Sequence, residues 1–159
     1  MTQDRQAGFT LVELMVVIVI IGMISAVVVL NMPSPASDLE QETEKLAARL
    51  RLAAEESIMA GELTGVRITP EGYAFVIYRR GHWLPLDLPS GQWPEGAVVR
   101  LVRDRLPVEL TENLPENSPS IWFDPLGNQM SFSIDISGID DNIKVSGEEN
   151  GEIIVNPVS

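Results

Sequence analysis

Two hydrophobic rhythms divide the chain. Leu14 to Leu30 is a run of 17 residues interrupted only by Gly22 and Ser25, and with Phe9–Val12 the stretch reaches 22 residues, Thr10 and Glu13 being its further polar breaks. As a helix it would be about 33 Å long, enough to cross the roughly 30 Å hydrocarbon core of a bilayer. In lipid a lone segment satisfies its backbone groups only as a helix. Asn31-Met32-Pro33-Ser34-Pro35-Ala36-Ser37 breaks the pattern, since each proline removes a donor and pushes its predecessor out of the α region. Helix resumes after Ser37 or Asp38 as N-cap, with Glu40 and Glu42 in the first turn. Leu39, Thr43, Leu46, Leu50, Ala53 and Ser57 recur at steps of three and four, charges fill much of the rest, and Gly61 closes the segment.

Beyond Gly61 the period shortens to two. Thr64–Thr69 and Tyr73–Arg79 flank Pro70-Glu71-Gly72 as a hairpin, with Tyr73, Phe75 and Ile77 on one side. Ala97–Arg103 reads as a strand. Ile121-Trp122-Phe123 leads through the turn Asp124-Pro125-Leu126-Gly127-Asn128 into Ser131–Ser137, where Phe132, Ile134 and Ile136 alternate with polar residues. Glu152–Asn156 supplies a last strand. Leu84–Asn117, rich in proline and glycine, reads as a loop region with one or two strands. The expected fold class is α+β: one long helix packed on an antiparallel sheet.

Composition narrows the function. The net charge is −12, and from Asp104 to Ser159 eleven acids face only Arg105 and Lys144, a net of −9. This disfavours nucleic-acid binding, which needs clustered cations, although Arg79, Arg80, Arg100 and Arg103 could gather in space. There is no cysteine, hence no disulfide and no thiolate metal site. The single histidine, His82, sits beside Trp83 in a predicted loop without a motif to support catalysis, so no catalytic residue and no cofactor are assigned. Asp140-Asp141-Asn142 with Glu148, Glu149 and Glu152 offers oxygens to a cation such as calcium but lacks EF-hand spacing and reads first as solvated turn. No metal site is assigned. Trp83, Trp93, Trp122 and Phe123 read as core rather than as a ligand box.

The N-terminal block admits three readings. A secretory signal would use Ser34-Pro35-Ala36 for cleavage, against a long apolar run and a leader whose Arg5 is cancelled by Asp4. An ordinary single-pass anchor leaves Glu13 unexplained, because a mid-bilayer carboxylate costs about 2.5 to 3.5 kcal/mol. The third takes Gly8-Phe9-Thr10-Leu11-Val12-Glu13 as a unit, which resembles the type IV prepilin signal shared by type IV pilins and the pseudopilins of type II secretion. With "LAARLRLAAEESIMAG", "GVRITPEGYAFVIY", "GHWLPL" and "FDPLGN", the chain is similar to the H-type minor pseudopilins of that pilin-like family. The leader departs from the family's usual net positive charge, since Met1–Gly8 holds one acid and one base.

The resemblance implies cleavage between Gly8 and Phe9 by prepilin peptidase, N-methylation of Phe9, and a role for Glu13 as partner of the new terminal amine of an adjacent subunit. It implies a cleaved leader (1–8), a transmembrane helix (9–30), a proline hinge (31–37), an amphipathic helix (38–61) and a β-rich periplasmic domain (62–159). It also implies a single pass through the inner membrane of a Gram-negative bacterium. Partners would be other major and minor pseudopilins, prepilin peptidase, the inner-membrane assembly platform and secreted proteins. A minor pilin of a type IV pilus or DNA-uptake apparatus is the alternative within the class, and an anchored periplasmic enzyme or binding protein the alternative outside it.

Overall fold

A computed structural model of the chain describes residues 11–30, 37–111, 118–139 and 141–158, the side chains of 25–30 excepted. It forms two units, Met1–Pro35 and Ala36–Ser159. In the first, α1 (Leu11–Leu30) is a continuous helix. The leader and all of the proposed hinge except Ser37 lie outside the described residues.

The second unit is built on α2 (Asp38–Ala60). Ser37 caps it, its hydroxyl oxygen accepting from the Glu40 N–H at 3.1 Å, while Asp38 and Glu40 place negative charge in the first turn. Gly61 ends it at φ 66°, a left-handed conformation that costs a residue without Cβ little. The buried stripe is Leu39, Thr43, Leu46, Ala47, Leu50, Ala53 and Ser57, the predicted face with Ala47 added.

Ten strands follow: β1 (Thr64–Ile68), β2 (Gly72–Arg79), β3 (His82–Pro85), β4 (Gly91–Gln92), β5 (Val98–Arg103), β6 (Leu106–Val108), β7 (Ile121–Phe123), β8 (Phe132–Ser137), β9 (Asn142–Gly147) and β10 (Ile153–Pro157). They form two antiparallel sheets where a single sheet was expected. One has the order β3-β2-β1-β7, with β4 joining the β3 edge of β2; the other runs β10-β9-β8-β5-β6. α2 packs on β1 and β7 of the first and on β9 and β10 of the second, so its buried stripe joins both sheets in one core with Phe75, Phe123, Ile134 and Val145. The Pro70-Glu71-Gly72 hairpin holds in register, Thr64 opposite Ile77 and Ile68 opposite Tyr73.

Residues 142–147 form β9, so Asn142 belongs to a strand and not to an acidic turn; the strand buries Ile143, Val145 and Gly147 and turns Lys144 and Ser146 outward. Gly147 stands opposite Phe132, whose ring occupies the space a Cβ would need. Small size there admits the aromatic ring, which is why a glycine survives inside a strand.

Candidate functional site

Glu13 lies near the N-terminal end of the described part of α1. It is the only charged residue of α1, and it is exposed along with every other described side chain, residues 11–24. Gly8 and Phe9 lie outside the described residues. Among the described residues no helix is long and apolar enough to cross a membrane. The described side chains of α1 cover only about 21 Å at 1.5 Å per residue, so the spanning length rests on the sequence.

In the second unit a charged network fastens α2 to β2. The Tyr73 hydroxyl donates to Glu42 Oε1 at 2.8 Å and accepts from Arg49 Nη1 at 2.5 Å, and Arg49 lies 3.5 Å from Glu42. The Arg49 guanidinium also stands 5.7 Å from the Tyr73 ring centroid and donates to the Ser90 carbonyl at 3.4 Å. Burial, then the hydrogen bond and charge of Glu42, raise the Tyr73 phenol above its ordinary pKa. A Cβ on Gly91 would strike both the Tyr73 ring and Glu42, so the loop approaches this network as closely as only glycine permits. Sequence periodicity put Glu42 and Arg49 on the solvent side of the helix; their separation of seven residues, two turns on one face, was the available signal.

The remaining candidates separate in space or serve the fold. His82 is exposed on β3. Arg79 pairs with Glu62, whereas Arg103 donates to the Ser120 carbonyl at 3.0 Å. Asp141 and Asn142 stand at one end of β9 and Glu148, Glu149 and Glu152 beyond the other, about 17 Å away along the strand, so the two groups cannot share one cation. Among the described residues no cluster of metal-ligating side chains forms. Of the aromatics, Trp93 and Phe123 are buried, Trp83 is half-buried, and Trp122 is exposed. Asp124 organises the Asp124–Asn128 turn: despite an opposing desolvation effect, hydrogen bonds from the Asn128 side chain and from the Leu126 and Asn128 N–H groups hold its carboxyl below the usual range.

A helix capped by Ser37 and Gly61 that binds two antiparallel sheets, preceded by an apolar helix with an acid near the N-terminal end of its described part, defines a pilin-like subunit. Solved structures share this fold: the minor pseudopilin EpsH of the type II secretion system of Vibrio cholerae superposes with a TM-score of 0.61 at 20% identity, covering 76% of this chain and 98% of that one. The solution structure of Escherichia coli GspH gives 0.55 at 14% identity, covering 79% and 96%. Residues 42–158 match the family described as type II transport protein GspH, and residues 3–29 match the prokaryotic N-terminal methylation motif. The chain belongs to the GspH family of type II transport proteins. Among its relatives, the type II secretion system protein H of Pseudomonas aeruginosa is 33% identical over 107 residues, covering 65% of this chain and 62% of that protein. That of Aeromonas hydrophila is 36% identical over 78 residues, covering 48% and 43%. The matches thus span about three fifths and two fifths of these two relatives' lengths.

Proposed function

We propose that the chain is a minor, non-enzymatic structural subunit of the type II secretion pseudopilus. Prepilin peptidase cuts between Gly8 and Phe9, leaving 151 of the 159 residues, and the new Phe9 amine is methylated. The helix through Leu30 spans the inner membrane once, the 31–37 segment acts as hinge, and the β-rich domain stands in the periplasm. Other major and minor pseudopilins and the assembly platform are its partners. Added at or near the filament tip, it helps drive folded exoproteins across the outer membrane.

The observation that carries this reading is Glu13, the one charge in α1, five residues after Gly8 in a segment matching the methylation motif. A carboxylate among apolar neighbours needs a partner, and an amine four residues away in sequence, with ordinary pKa near 7.7 to 8.0, presents on the same helical face. Carried by an adjacent subunit, that ammonium neutralises Glu13 and fixes the docking register. The match of residues 42–158 to a type II transport family favours the secretion filament over a type IV pilus or DNA-uptake pilin. Gly8→Val places a branched side chain where the peptidase must approach the scissile bond. Intact-mass measurement of the membrane fraction is expected to show the full-length precursor; normal trimming would remove the peptidase from this account.

A further inference from the structure

The outer edge of β10 has main-chain groups that the fold leaves open. The Glu148 N–H donates to the Glu152 carbonyl and the Val158 N–H to that of Asn142, so even-numbered positions of β10 face β9 and Ile153, Val155 and Pro157 turn their backbone outward. Arg51 donates to the Ile153 carbonyl at 2.7 Å, and Pro157 has no N–H. Among the described residues this leaves the Ile153 N–H, the Val155 N–H and carbonyl and the Pro157 carbonyl along that edge. They border a groove of about 430 Å³ between the first turns of α2 and β9–β10, with Ile143, Val155 and Val158 as apolar lining and Glu40, Glu44 and Asp141 as its charges. No cation lines it. The nearby lysines are engaged elsewhere, Lys45 with Glu42 and Lys144 with Asp135, each at 3.2 Å.

We propose that this groove docks an extended, basic segment of a partner protein, which pairs its main chain with the edge at Val155 and sets Lys or Arg side chains against Glu40 and Glu44. The spacing fits. Residues four apart on a helix lie about 6 Å apart, and alternate residues on one side of a strand lie about 6.8 Å apart, so cations at alternate positions meet successive carboxylates. A second copy of this chain is a poor occupant, because its own charge is −12. Backbone pairing supplies affinity in such strand addition and the charges supply selection.

The test uses the full chain in detergent and three fluorescein-labelled heptapeptides, read by anisotropy: Lys-Val alternating, the same peptide with N-methylated valines, and Glu-Val alternating. The expected result is that the first binds, that N-methylation weakens it at least about tenfold, and that the acidic peptide does not bind. A double variant, Glu40→Gln with Glu44→Gln, should weaken the first peptide by a similar factor. Val155→Pro should do likewise, since it removes a donor that no strand of the fold uses. No binding of the Lys-Val peptide, or equal binding of its N-methylated form, overturns the proposal. So does self-association of the free chain that Val155→Pro abolishes, which would give the edge to a second copy.

Discussion

Tyr73 carries its hydroxyl into an ion pair, accepting from Arg49 and donating to Glu42, while its ring packs against Phe75 and Trp93 at centroid distances of 5.8 and 5.2 Å. The arrangement fixes the protonated phenol. An unfolded chain releases this proton near pH 10.0, whereas the folded chain retains it because burial and Glu42 oppose the phenolate. Above pH 10 the unfolded state therefore binds fewer protons, and stability falls as pH rises. Tyr73→Phe should flatten that decline. At neutral pH it should also cost about 1.5 to 3 kcal/mol, the net worth of hydrogen bonding to charged groups, the remaining Glu42–Arg49 pair limiting the loss. Urea unfolding of the two proteins at neutral and alkaline pH checks both expectations, and parallel declines above pH 10 would show that Tyr73 does not titrate the fold.

At the scale of elements, α2 joins two sheets through one stripe, so its buried leucines matter to both. Leu50 is fully buried. Leu50→Ala should destabilise by about 2 to 5 kcal/mol, combining lost transfer energy with a residual cavity. A single unfolding transition with a lower urea midpoint and unchanged slope is expected; two transitions would mean that the sheets melt independently. This helix was legible in the sequence, its C-cap at Gly61 and its N-cap narrowed to Ser37 or Asp38, because caps act locally and the 3.6 period extends over many turns. The hairpin of β1 and β2 was legible for the same reason, its turn lying between two alternating runs. β3, β4 and β6 were not: they are four, two and three residues long, too short for a period, and pairing with β2 and β5 rather than their own composition makes them strands. β9 was hidden by polar residues on its outward positions and by Gly147, whose reason is the ring of Phe132 across the sheet. The division into two sheets follows from such long-range pairings. The Glu42–Tyr73–Arg49 network escaped because it joins residues 24 and 31 positions apart.

For the molecule as a whole, the two units set different demands. The domain from Ala36 onward buries its own apolar face around α2, whereas the described side chains of α1 are all exposed and need lipid or other subunits to cover them. Apolar contact alone gives an oily helix little preference for one sliding position over another, since lipid tails offer comparable surroundings. A single carboxylate changes this. On the proposed pairing, a carboxylate removed from its partner would cost several kcal/mol, and the position that meets a neighbouring ammonium would be favoured. Glu13→Ala should therefore leave cleavage intact and leave the thermal midpoint of the β-rich domain unchanged, because Glu13 belongs to the other unit. Incorporation into the filament should fall on the order of a hundredfold, corresponding to a loss of about 3 kcal/mol from the pairing. Intact mass, thermal unfolding, and cross-linking of the variant to its neighbours, read together with export of a reporter exoprotein, separate these outcomes. A correctly cleaved, fully folded Glu13→Ala chain that still cross-links and supports export at the unaltered level would mean that register is set by the periplasmic domain, and that the acid serves only its own helix.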